Sequence, residues 1–81
     1  MISGAISETI NLYEAGKNND FTVVSVPTVG LLENLGIRIG TKIVLENRYA
    51  FGGPVLLRVE NTYSVAVGKD IAKQIEVQET K

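Results

Sequence analysis

The sequence predicts a small, mainly β domain: five short strands and one inserted helix, folded into a small barrel or roll. Three observations carry this. Of 81 residues, 27 are Val, Ile, Leu or Phe, too apolar a share for a disordered chain and enough for one core. Val and Ile together outnumber Leu 18 to 7, and β-branched side chains favour extended backbone. Clusters of Gly, Pro and Asn separate the apolar runs, so each run is short.

The elements follow in order. Residues 1–9 are small, polar and aperiodic, and read as a loose arm. Ile10 and Tyr13, three apart before Gly16, suggest one turn docking both side chains on the core. Lys17-Asn-Asn-Asp20 is a turn cluster, and Phe21 to Val26 is a first strand closed by Pro27, which cannot donate to a ladder. Thr28 to Leu35 is the best helix. Thr28 is placed to cap it, Leu31, Leu32 and Leu35 recur at helical spacing, and Gly36 supplies a left-handed C-cap.

Gly36 to Gly40 makes a tight return into the strand Thr41 to Asn47, where Ile43 and Leu45 share a face. Gly52-Gly53-Pro54 marks a flexible loop before the strand Val55 to Glu60, with Val55, Leu57 and Val59 in phase. Asn61-Thr62 is a hairpin turn, because Asn tolerates positive φ. Tyr63 to Val67 is the next strand, Gly68 to Gln74 gives one helical turn, Ile75 to Val77 is a fifth strand, and residues 78–81 fray. No repeat, linker or second domain interrupts residues 10–77.

Composition removes several chemistries. Without His or Cys there is no imidazole base, thiolate nucleophile, disulfide or conventional zinc site. A net charge of -1 argues against a phosphate-binding face and so against nucleic acid as a partner; Lys69 and Lys73 form only a modest basic edge. The start, Met1 to Ser7, lacks the features of a signal peptide. The uncharged run Phe21 to Leu32 is broken by Pro27 and Gly30 and is too short for the roughly 20 residues that span a bilayer. A cytoplasmic protein without membrane insertion is expected.

No catalytic set is visible, and an enzyme is not expected. Glu33, on the polar side of the helix, reads as a solvated side chain; with Asp70 and Glu76 it offers a carboxylate route to a metal such as iron. The glycines at 36, 40, 52 and 53 lack the Walker lysine and the dinucleotide-binding spacing, so they read as turns, as does Asn61. Arg48, Tyr49 and Phe51 stand beside Pro54 on the connection between two strands. They are residue types enriched at protein interfaces.

From Leu32 the chain resembles a family. Leu32-Glu-Asn-Leu-Gly36-Ile-Arg-Ile-Gly40-Thr-Lys-Ile-Val-Leu45 is similar to the FeoA-type ferrous iron transport proteins, in which a helix ends Leu-Gly and a later Gly opens a strand. Ala50-Phe-Gly-Gly-Pro54-Val-Leu-Leu-Arg-Val59 resembles the family's Gly-x-Pro loop and following strand. Val65 to Val67, Asp70 to Val77 and Ile10-x-x-Tyr13-x-x-Gly16 match in order, so the likeness covers residues 10–77. Asn61 replaces the usual hairpin Gly, and Val67-Gly68 replaces a common Leu-Arg pair, so any role of that Arg is absent.

The resemblance implies an SH3-like five-stranded barrel with one short α-helix inserted and a one-turn helix near the C-terminus. It implies a cytoplasmic accessory of the FeoB-type membrane GTPase that imports ferrous iron. It supplies no catalytic or metal-ligand residues. A related barrel ends the iron-dependent repressors, where it serves protein contacts. The leading expectation is therefore a protein-binding module without a cofactor, contacting its partner through Arg48, Tyr49, Phe51 and Pro54, with the outward side of the Thr28–Leu35 helix second. The alternatives are a carboxylate-based iron chaperone or sensor, and a barrel for peptides or nucleic acid. A homodimer through a strand edge or the Phe51 loop is a further expectation.

Overall fold

Alternation of apolar and polar side chains generates most of the architecture. The computed structural model describes residues 9–80. Its strands are β1 (Ile10–Asn11), β2 (Asp20–Ser25), β3 (Lys42–Arg48), β4 (Val55–Val59), β5 (Tyr63–Val67) and β6 (Glu76–Glu79); its helices are α1 (Gly30–Asn34) and α2 (Lys69–Ala72). A 3₁₀ turn, Leu12–Glu14, follows β1. The strands form one antiparallel sheet in the order β1-β6-β2-β3-β4-β5.

One side of every central strand points inward, as period-two patterning requires. Phe21 and Val23 from β2, Ile43 and Leu45 from β3, and Val55, Leu57 and Val59 from β4 are buried. Val77 from β6 joins them, as do Leu12, Leu32, Ile37 and Ile75 from the segments around the sheet. Each fully buried aliphatic side chain contributes about 1.5–3 kcal/mol, so this single cluster dominates stability.

Several expectations change. A sixth strand exists, and the ladder does not close: β1 and β5 are its edges. An SH3-like arrangement is consistent with this sheet, but a closed five-stranded barrel is not what the hydrogen bonds form. The cause of β1 is Leu12. Its fully buried side chain and its N–H bond to the Ile75 carbonyl at 2.7 Å draw Ile10 and Asn11 alongside β6. Ile10, expected to dock on the core, is consequently turned outward with 36% of its surface exposed.

The expected frayed tail is also shorter. β6 runs through Glu79, paired with Phe21, and the Thr80 N–H bonds the Asp20 carbonyl at 2.8 Å. Lys81 lies outside the described residues, as does the expected arm except Thr9, whose hydroxyl donates to Glu76 Oε1 at 2.9 Å.

α1 starts later than expected. Val29 is its N-cap and no side chain caps it, so Thr28 does not serve. With only five helical residues, Leu32 is buried and Leu31 is 53% exposed, so the three leucines do not share one buried face. Gly36 ends the helix at φ +83°, as its position after the last leucine predicts. The return that follows is pinned by Thr41, a buried hydroxyl that donates to the Gly36 carbonyl at 3.2 Å and accepts from Arg38 N–H at 3.0 Å.

Candidate functional site

The connection between β3 and β4 is a tight hairpin, not a flexible loop. Beyond the last ladder pair, Arg48 with Val55, the Tyr49 N–H donates to the Pro54 carbonyl at 3.0 Å. Gly53 N–H then closes a four-residue turn on the Ala50 carbonyl at 3.2 Å. Its two central residues, Phe51 and Gly52, both have positive φ, +61° and +74°. This is the type I′ pattern, which needs this sign at both positions and matches the strand twist. Gly53 is favoured on packing grounds: a Cβ there would stand 3.0 Å from Tyr49 Cβ and 3.3 Å from the Ala50 carbonyl oxygen, a tight fit that its neighbours would have to relieve.

Phe51 and Glu60 are the two described residues other than Gly and Asn at positive φ, and Phe51 is the bulkier. A bulky L-residue in the left-handed region costs on the order of 1 kcal/mol. Nothing in the fold offsets that cost, because Phe51 is 106% exposed. Tyr49 is 44% exposed and Pro54 is exposed beside it. From Tyr49 to Leu57 the chain carries no charge, so the tip is an uncharged aromatic projection.

Arg48 does a different job from its neighbours. It is half-buried, and its Nε donates to the Tyr13 carbonyl at 2.5 Å while Nη2 donates to the Ala15 carbonyl. The guanidinium carbon also lies 5.7 Å from the Tyr13 ring centroid, and Lys69 Nζ lies 5.6 Å from the same ring. A Cβ on Gly52 would fall 3.8 Å from Lys69 Cδ and Nζ, so this lysine lies along the hairpin. Arg48 at the base of the hairpin and Lys69 beside its turn thus brace it against the 3₁₀ turn, each directed onto Tyr13. Of the four residues expected to touch a partner, the fold groups Tyr49, Phe51 and Pro54 outward and turns Arg48 inward.

The remaining candidates separate. Glu33 is on α1, Asp70 on α2, and Glu76 on β6 accepts from Thr9. Among the described residues no group of three or more His, Cys, Asp or Glu side chains is close enough to hold a metal ion. Gly40 takes φ +96°, and Asn61 takes +58° in a turn closed by the Thr62 N–H on the Val59 carbonyl at 2.9 Å, whose central pair is Glu60-Asn61 and not the expected Asn61-Thr62. Among the described residues no helix is long and apolar enough to cross a membrane.

Two further apolar residues are exposed. Leu31 on α1, expected to share the inner side of the helix with Leu32 and Leu35, is 53% exposed, and Ile39 in the Gly36–Gly40 return, not singled out by sequence, is 67% exposed. Ile37 and Ile39 are alike in sequence and two apart, yet only Ile37 is buried, so no local pattern marks Ile39 as exposed.

The comparisons with known proteins agree with one another. The FeoA domain model matches residues 10–79. A crystal structure of an iron uptake regulatory protein (FeoA) superposes with a TM-score of 0.80 at 23% identity, covering 90% of this chain and 99% of that one. An NMR structure of a FeoA-like protein from Clostridium acetobutylicum gives 0.77 at 28% identity, covering 94% and 92%. A manganese-dependent transcriptional repressor gives 0.82 at 17% identity, where the match spans 95% of this chain but 48% of the repressor. No curated protein sequence matches. With the family pattern running from the first strand to the last, and the same fold in proteins of nearly equal length, the chain belongs to the FeoA domain family.

Proposed function

We propose that this chain is a non-enzymatic accessory of ferrous iron uptake, which docks on the cytoplasmic part of a FeoB-type membrane GTPase and modulates its nucleotide turnover or assembly. Membership of the FeoA domain family supports the iron-transport setting. The observation that carries the docking reading is Phe51: a strained, wholly exposed aromatic on a braced hairpin has no folding role that accounts for it. Tyr49 and Pro54 flank it and complete a small apolar contact. Such contacts are dominated by one or two aromatic anchors, each worth about 2 kcal/mol or more when it fills a pocket. Arg48 and Lys69 hold the hairpin in position, which lowers the ordering cost of binding.

The test is retention on membranes carrying the FeoB-type transporter, comparing the protein with its Tyr49→Ala, Phe51→Ala variant. Retention of the protein with loss of the variant is expected. Equal retention of both removes this surface from the proposal, and retention of neither removes the partner.

A further inference from the structure

The two edges of the sheet differ in a way that points outward from the monomer. β1, at one edge, has two residues. β5, at the other, has five, and they pair with β4 in an unbroken register, whereas the β2–β6 and β3–β4 ladders each contain a shift. Outside its ladder with β4, no backbone group of β5 bonds another backbone group among the described residues. Edge strands are normally protected by charges, Pro, bulges or a covering segment. Tyr63-Ser-Val-Ala-Val67 has no charge, Pro or Gly. Its first two side chains are also fixed: Tyr63 Oη donates to the Leu35 carbonyl at 2.6 Å, and Ser64 Oγ to Glu46 Oε1 at 2.8 Å.

We propose that β5 pairs antiparallel with β5 of a second copy of this chain, giving a twofold dimer with one continuous sheet. The geometry selects the register. A twofold axis normal to the sheet keeps each face on its own side, so paired residues must share parity along the strand. The register centred on Val65 meets this condition and uses all five residues: Val65 opposes itself, Tyr63 opposes Val67, and Ser64 opposes Ala66. Two of these pairs set an aromatic against a β-branched side chain, a favourable cross-strand combination, and no like charges meet. Pairing β5 head-to-tail with β1 would engage two residues only, so the closed dimer is preferred over a filament. Five residue pairs make a small interface, of the size class of weak, transient contacts.

Sedimentation velocity over protein concentrations from about 10 μM to about 1 mM tests this, using two charge variants of exposed positions. Ser64→Lys with Ala66→Lys places lysine opposite lysine twice in the proposed register. Ser64→Lys with Ala66→Glu places lysine opposite glutamate twice. The expected result is a concentration-dependent dimer for the native chain, a monomer throughout for the first variant, and dimerisation restored at least tenfold for the second. A native chain that stays monomeric at the highest concentration overturns the proposal. So does a lysine–lysine variant that dimerises like the native chain, or a dimer abolished by Tyr49→Ala with Phe51→Ala, which would place the contact on the hairpin.

Discussion

The Tyr63 hydroxyl, at the start of edge strand β5, donates a 2.6 Å hydrogen bond to the Leu35 carbonyl at the end of α1. This bond ties the edge strand to the end of α1, and it depends on the residue next to Leu35. A Cβ at position 36 would lie 2.3 Å from the Tyr63 oxygen, so Gly36 is required both by its φ of +83° and by the hydroxyl it accommodates.

Gly36→Ala is therefore expected to cost about 2–3 kcal/mol, combining a left-handed backbone penalty with loss of the bond. Tyr63→Phe alone should cost about 0.5–1 kcal/mol, since the tyrosine is partly exposed. In the Tyr63→Phe background the glycine substitution should cost only about 1–2 kcal/mol, its backbone part. Urea unfolding of the three variants measures the coupling; strict additivity would show that the two residues act independently.

Arg48 should behave as a structural residue. Arg48→Ala leaves the carbonyls of Tyr13 and buried Ala15 without this donor and is expected to cost about 2–3 kcal/mol. Arg48→Lys should recover little, because an ammonium cannot reproduce the planar fork that serves both carbonyls. Thermal unfolding of both variants decides this, and full rescue by lysine would refute the two-carbonyl account.

Phe51→Gly is expected to leave stability unchanged or raise it by up to about 1 kcal/mol, as relief of the left-handed strain offsets the greater freedom of the unfolded chain. Retention on transporter-bearing membranes should fall in the same variant. A loss of more than about 1 kcal/mol on denaturation would mean that Phe51 stabilises the monomer.

The caps make a fourth comparison. Asn11 Oδ1 accepts from the Glu14 N–H at 3.1 Å, so Asn11→Ala should cost about 0.5–1 kcal/mol. Thr28→Ala should be neutral within about 0.5 kcal/mol, because α1 has no side-chain cap. Denaturant midpoints of the two variants check both expectations, and a larger effect at Thr28 than at Asn11 would reverse the assignment.

Much of the fold and part of the site can be read from the residues in order. Alternation in Thr41–Asn47 and Val55–Glu60 identifies Ile43, Leu45, Val55, Leu57 and Val59 as core, since side chains two apart on a strand share a face. Gly36, Gly40 and Asn61 mark left-handed positions because few other residues tolerate them. The aromatic tip was legible as composition: Tyr49, Phe51 and Pro54 stand beside two glycines. Local chemistry is sufficient for each of these, because the preference belongs to the residue or to its near neighbours.

What tertiary structure alone decided involves partners far apart in sequence. β1 exists because Leu12 is buried and bonded to Ile75, and the tail is ordered because β6 finds β2; no local pattern in Ile10–Asn11 or Gln78–Glu79 encodes either pairing. The bracing role of Arg48 depends on carbonyls 35 and 33 residues away, so its sequence context made it look like a contact residue of the tip. The edge status of β5 is likewise a property of the sheet order, not of Tyr63-Ser-Val-Ala-Val67. Residue type and order set which side chains seek the interior and where the backbone must turn. Only the assembled sheet decided which strands were left unpaired and which polar groups were already engaged, because hydrogen-bond partners are allotted by proximity in space.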